Sequence, residues 1–237
     1  MSVTAPQVLM LAPMRSELRP LVRLTGGRPD RLGGVAVHVG RAGRAAITAA
    51  MIGVGPPAAR RSTERLLDAG RFDHVVVSGI AGGVGHGAVV GELVTPAFVE
   101  DLSNGRRFTP TTLGYHPPAG VLSTTAELIV DESAVAALVE RGVVALDMET
   151  AAVAEVCEER ARPWSVFRVV SDRPEDGLLD QGVFELLELD GTVNLMRTVR
   201  YVLAKPARLG PLARLGRDAA GAARKAARAA VSASATL

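Results

Sequence analysis

The chain has 237 residues, 48% hydrophobic and 22% charged, a globular composition whose length suits one α/β domain. Only 3% are aromatic, so the core must be built from Val, Leu, Ile and Ala, and the stacking platforms of sequence-tolerant nucleic-acid binding are scarce. A single cysteine, Cys157, and scattered histidines (His38, His74, His86, His116) exclude a disulfide framework and offer no metal-ligand spacing, so neither metal nor cofactor is expected.

The net charge of +2 is unevenly spread. Beyond position 202, Lys205, Arg208, Arg214, Arg217, Arg224, Lys225 and Arg228 face a single acid, Asp218, which leaves the preceding body net acidic. The N-terminus has no basic stretch before an apolar one, and no window approaches the ~18 apolar residues of a membrane span. A cytoplasmic location is expected.

Short apolar runs alternate with helical patterns. "QVLMLA" from Gln7, "AAITAAMI" from Ala45, "HVVVSG" from His74, "GVVALD" from Gly142 and "WSVFRVVS" from Trp164 read as buried strands. Helices are expected over 57–68, 133–141 and 149–160, and again in "TVNLMRTVRYVLA" after Gly191, ended by Pro206. The alternation predicts an α/β fold with a central mixed, twisted sheet flanked by helices, residues 1–203 forming the body and 204–237 a basic, Ala/Arg-rich helical tail. No internal repeat is visible.

In open α/β sheets ligands gather beyond the carboxyl ends of strands, here 13–17, 53–57, 78–85, 147–150 and 171–176. "GVGPPA" from Gly53 fits a dinucleotide-binding turn poorly, because Pro56 and Pro57 remove N–H groups that would hold a pyrophosphate. "SGIAGGVGHG" from Ser78 reads either as a close approach to a ligand or as a tight turn with positive φ. Asp147, Met148 and Glu149 sit where a strand meets a helix, a place that suits an ordinary capping carboxylate as well as a functional one. Ser171 with Asp172 reads equally as an N-cap, and Glu17 as a solvated acid.

Taken together, "PMRSEL" at 13–18, "GVGPPAA" from Gly53, "SGIAGGVGHGAVVGELV" from Ser78, "LDMETAAVAEVC" from Leu146 and "FRVVSD" from Phe167 resemble, in order and spacing, the purine nucleoside phosphorylase and methylthioadenosine/S-adenosylhomocysteine nucleosidase superfamily over nearly all of 7–200. The resemblance implies cleavage of an N-ribosidic bond. Positive charge then develops on the ribose and negative charge on the departing base, so the site needs a sugar partner, an acid and a nucleophile activator. By resemblance, Glu149 holds the ribose hydroxyls with Met148 beside the sugar. A protonated Asp172 donates to the purine N7, positioned by Ser171 and Arg168, and Glu17 activates water. An acid and a base on opposite faces of a sugar is the logic of inverting glycoside hydrolysis. Ala81 and Gly82 fall to the base, and Met14 and Val54 to the 5′ group. A raised pKa at Asp172 requires burial, which the apolar run 166–170 suggests.

In the phosphorylases of this superfamily an arginine precedes the glycine of a Gly-Ser/Thr turn by two residues, whereas this chain has Val77, Ser78, Gly79 and Ile80. A phosphate would lack its cation there and would be repelled by Glu17, so hydrolysis is expected, with phosphorolysis the alternative and a non-catalytic nucleoside-binding protein a further one. Ile80 replaces the usual hydroxyl residue, and "STTAELIVD" from Ser123 lacks the aromatic residue expected beside adenine. Glu127 stands there, as a base contact or a solvated acid.

The C-terminal third, "LDGTVNLMRTVRYVLAKPARLGPLARLGRDAAGAARKAA", resembles the hopanoid-associated branch, whose substrate is adenosylhopane. Methylthioadenosine and S-adenosylhomocysteine are the other candidates. On a helical projection Arg214, Arg217, Arg224, Lys225 and Arg228 share one arc, opposite Leu212, Leu215, Ala219, Ala222, Ala223 and Ala226. Such a face attracts anionic membrane, giving peripheral association at the inner membrane surface, or it is the outer side of a helix packed on the body or of a solvated tail. The resemblance also implies a homodimer. The partners expected are a small nucleoside and this membrane surface, and no nucleic acid.

Overall fold

The computed structural model describes residues 5–127, 129, 131–173 and 209–237. The helix expected after Gly191 lies outside the described residues. Among the described residues eleven strands form one mixed sheet: β1 (Gln7–Ala12), β2 (Arg28–Leu32), β3 (Val35–Ala42), β4 (Ala45–Met51), β5 (His74–Gly83), β6 (Leu93–Val94), β7 (Phe98–Asp101), β8 (Arg107–Phe108), β9 (Val121–Thr124), β10 (Val143–Asp147) and β11 (Trp164–Asp172). Among the described residues five helices cover it: α1 (Arg15–Thr25), α2 (Pro56–Ala69), α3 (Glu132–Glu140), α4 (Thr150–Glu159) and α5 (Leu209–Ser234). The α/β class and mixed sheet are those expected from the alternation of runs.

The order β2-β3-β4-β1-β5-β10-β9-β7-β8 is completed by β11, which pairs with β5 and β6. Strand β5 is the hub. It runs parallel to β1 over His74 to Val77, parallel to β11 over Val75 to Gly82, and antiparallel to β10 at Gly82 and Gly83. The carboxyl ends of β1 and β11 therefore meet the middle and end of β5, and β10 runs back into the same region.

Strand alternation splits the core into two layers. Leu9 and Leu11 of β1, Val75 and Val77 of β5, and Val166 and Val170 of β11 pack on one side with Ala59 and Leu66 of α2 and Val153 and Ala154 of α4. Val8, Met10, Ile47, Val76 and Phe167 pack on the other with Leu18 and Leu21 of α1 and Ala227, Ala230 and Ala233 of α5. Both faces are covered, which is why these strands read as continuous apolar runs.

The C-terminal helix lies on the sheet. Ala222 and Ala226 meet Val169, and the small alanine methyls let the helix backbone approach β11 closely, each buried methyl contributing about 0.8 kcal/mol. Arg214, Arg217, Arg224, Lys225 and Arg228 are exposed on the opposite side. Among the described residues no helix is long and apolar enough to cross a membrane.

Candidate active site

Two of the three expected carboxylates, Glu17 and Glu149, meet one buried guanidinium at the strand ends, and Asp172 closes the strand that carries it. Glu17 lies in the first turn of α1 and is 2% exposed. Its carboxylate accepts the Met14 N–H at 2.8 Å on one oxygen and the Ile80 N–H at 2.8 Å on the other. Burial pushes this carboxyl above its ordinary value, against the attraction of Arg168 and the two amides. Gly79 makes the approach possible: a Cβ there would overlap Glu17 Oε1 and Arg168 Nη1.

Glu149 stands at the junction of β10 and α4, where its Oε1 accepts the Gly55 N–H at 3.0 Å. That amide comes from the turn after β4, held open by Gly55 at φ 88°. Burial drives the Glu149 carboxyl up to about 8, with Arg168 opposing and Asp147 adding to the rise. Met148 is half-buried between the two acids.

Arg168, on β11, has no solvent exposure. Its Nη2 donates to Asp147 Oδ2 at 2.6 Å, Thr150 Oγ1 at 3.1 Å and Glu149 Oε2 at 3.3 Å, and its Nη1 donates to the Ile80 carbonyl at 3.3 Å and lies 3.8 Å from Glu17 Oε1. Burial disfavours its charge, but Asp147, Glu149 and Glu17 outweigh that and hold its pKa above the ordinary arginine value.

Ser171 and Asp172 close β11, both buried. The Ser171 hydroxyl donates to Asp172 Oδ1 and, at 3.4 Å, to the Ala81 carbonyl, and Asp172 stands opposite Gly82 in the strand register. Ala81 and Gly82 are thus beside the expected acid. Arg168 lies four residues before Asp172 on the same strand, and its hydrogen bonds to Asp147, Glu149, Thr150 and the Ile80 carbonyl fix the guanidinium beside Glu17. The pairing of β11 with β5 shifts register between Val170 and Asp172.

Met14 and Val54 are half-buried on neighbouring loops, joined by the Gly53 N–H to the Pro13 carbonyl at 3.1 Å. Ile80 and Gly82 are half-buried as well. Glu127 is exposed in the loop before α3, its N–H on Thr125 Oγ1 at 3.1 Å. Two residues outside the expected set belong to the cluster: Asp147, whose capping position masked it, and Gly79, whose small size is explained only by what lies above it.

A family model described as the phosphorylase superfamily matches residues 7–118 and 110–204. Among curated proteins, none matches the chain in sequence. The fold is similar to that of the 5′-methylthioadenosine/S-adenosylhomocysteine nucleosidase of Neisseria meningitidis, at 17% identity and TM-score 0.73 over 98% of this chain and 99% of that one. It is also similar to futalosine hydrolase of Helicobacter pylori, at 18% identity and TM-score 0.70 over 96% of each chain. The methylthioadenosine/S-adenosylhomocysteine nucleosidase of the same organism gives 18% identity and TM-score 0.70 over 94% of this chain and 95% of that one. The likeness to these structures is one of fold, while the family match runs through every strand-end segment that builds the cluster, and the chain belongs to the phosphorylase superfamily.

Proposed function

We propose that this protein is a nucleosidase that hydrolyses the N-ribosidic bond of a 5′-substituted adenosine and releases adenine. The observation that carries this reading is Glu17. Its carboxylate already occupies the Ile80 N–H and the space over Gly79, the turn at which a phosphorylase would receive phosphate, and it has Arg168 beside it. An anion held there repels phosphate and accepts a proton from water.

In the proposed step, water adds to the anomeric carbon as the bond to the base breaks. Glu17 takes the water proton, Asp172 gives its proton to the purine N7, and the bonding electrons leave with the base. Glu149 receives the ribose hydroxyls beside Met148. Ser171 holds Asp172, with Ala81 and Gly82 along the base, and Met14 and Val54 border the 5′ group. Burial strengthens each of these interactions relative to water. Purified protein supplied with adenosine nucleosides should give free adenine and a reducing ribose derivative, with or without phosphate. A rate that requires phosphate would favour phosphorolysis, and binding without turnover would leave a nucleoside-binding protein.

For the 5′ substituent we favour adenosylhopane over methylthioadenosine and S-adenosylhomocysteine. The support is the basic arc of α5, where Arg214, Arg217, Arg224 and Arg228 are exposed and Lys225 reaches the Gly91 carbonyl at 2.7 Å, while the alanine face is buried. Arg15, Arg19 and Arg23 are exposed on α1 as well, and exposed cations of this kind are attracted to anionic lipid. We also propose a homodimer in a cytoplasmic setting, peripheral to the inner membrane surface. A preference for methylthioadenosine, with no vesicle binding at low salt, would remove the lipid reading and leave the nucleosidase in place.

A further inference from the structure

Three carboxylates close on one guanidinium, and the function proposed above uses two of them. Asp147 is the third. It ends β10, is 7% exposed, and five donors converge on its two oxygens. Oδ1 accepts from Thr124 Oγ1 at 2.7 Å and from the N–H groups of Glu149 and Thr150 at 3.3 Å each, and Oδ2 accepts from Arg168 Nη2 at 2.6 Å and from the Thr150 hydroxyl. Every one of these partners is a donor, one of them a guanidinium, which is the strongest kind of hydrogen bond a carboxylate accepts. The amides of Glu149 and Thr150 open α4, so the same group also serves that helix as a cap.

The distances rank the claims on the guanidinium: Asp147 at 2.6 Å, Glu149 at 3.3 Å and Glu17 at 3.8 Å. The residue nearest the cation is the one with no part in the proposed chemistry. It is itself anchored to β9 through Thr124, whose Oγ1 in turn accepts the Ala151 N–H at 2.9 Å. Charged groups reach this centre from β11 as Arg168, from α1 as Glu17 and from the β10–α4 junction as Glu149, while β9 and α4 bring only the hydroxyls of Thr124 and Thr150.

We propose that Asp147 is a positioning residue of this site, fixing Arg168 between Glu17 and Glu149 and keeping the cation from closing on either of them. The inference rests on the function proposed above. Were the guanidinium free to pair with Glu17 at full contact, the base would lose proton affinity and the water its activator. With Asp147 holding the cation, Glu17 keeps a carboxylate only partly neutralised, and Glu149 keeps acceptor capacity for sugar hydroxyls. Burial chiefly, and the charge of Asp147 in addition, raise the proton affinity of both glutamates.

The test uses Asp147→Asn and Asp147→Glu in the full chain, with kcat, KM and the pH profile of kcat/KM for adenine release. Asparagine keeps an acceptor for the α4 amides and for Thr124 but not the charge. Its kcat should fall about 100-fold with KM changed less than about threefold, and the acid limb of the profile should move to lower pH as Arg168 relaxes onto the glutamates. Glutamate keeps the charge one methylene out of place, and should retain the wild-type acid limb with kcat down about tenfold. Wild-type kcat and an unmoved acid limb in Asp147→Asn would overturn the proposal and leave a helix cap. Should Asp147→Asn fail to fold, wild-type kcat in Asp147→Glu overturns it. Should wild-type protein release no adenine, the proposed function fails by itself, and the carboxyl NMR signals of isotope-labelled glutamates still decide. Glu17 and Glu149 must then titrate at lower pH in Asp147→Asn than in wild type, and unmoved titrations overturn the positioning role.

Discussion

Replacing Arg168 with Met would leave Glu17, Asp147 and Glu149 buried around an apolar side chain of similar length. With an effective dielectric constant of ~20, attractions over the 2.6, 3.3 and 3.8 Å separations are each on the order of 4–6 kcal/mol, and the desolvation of the guanidinium offsets much of their sum. Removal of one partner from such a buried group costs about 3–5 kcal/mol net, because the remaining charges are uncompensated. The loss must depend on pH. Arg168 holds down the proton affinity of both glutamates, so their folded-state pKa values rise further without it. A carboxyl whose pKa is higher folded than unfolded loses stability as pH increases between the two values, by about 1.4 kcal/mol for each pH unit separating them. Urea unfolding of wild type and Arg168→Met at about pH 6 and about pH 9 should therefore show a larger gap at the higher pH, with Arg168→Lys recovering part of it. A gap below about 1 kcal/mol, or one equal at both pH values, would refute the electrostatic account of the cluster.

Four further outcomes are expected. Wild-type stability should fall as pH rises from the ordinary carboxylate range toward about 8, because the folded protein holds a proton on Glu149 that the unfolded chain has released; stability rising across that window would contradict the burial-driven rise. Gly79→Ala should cost about 1–3 kcal/mol and about 100-fold in adenine release, since its methyl overlaps Glu17 and Arg168; near-wild-type values in melting and turnover would contradict that packing. Asp172→Asn should abolish turnover while substrate affinity stays within about tenfold, measured by calorimetry against turnover, and wild-type turnover would sink its role as the acid. Neutralising Arg214, Arg217, Arg224 and Arg228 to Gln should weaken binding to anionic vesicles by roughly 1 kcal/mol per charge without changing the melting temperature, and undiminished sedimentation with vesicles would remove the docking surface. Truncating the helix is the poorer test, because it would strip the alanine face from Val169 and Phe167.

The residues legible in the sequence are those marked by a strand end and by their own chemistry. β1, β4, β5, β10 and β11 are apolar runs because helices cover both of their faces, and the carboxylates and glycines just beyond them stand out for that reason. α1 is hidden by Pro20 and by its opening at a strand-end motif, and β2 because four of its five residues are exposed, three of them charged and one a proline. The partnership of Arg168 depended on pairing that no local pattern carries. Asp147 lies 21 residues before it, and only the packing of β10 and β11 around β5 brings the two together. Gly79 shows the same limit, since a glycine's necessity is set by the atoms above it.

The central claim is that water, activated by Glu17, is the nucleophile. The most direct measurement is turnover of a 5′-substituted adenosine in heavy-oxygen water containing phosphate, with mass spectrometry of the sugar product and Glu17→Gln as the control. The expected result is free adenine, a ribose derivative carrying solvent oxygen at its anomeric carbon, and loss of turnover in Glu17→Gln. A sugar 1-phosphate as the product, or a Glu17→Gln variant as fast as wild type, would contradict it.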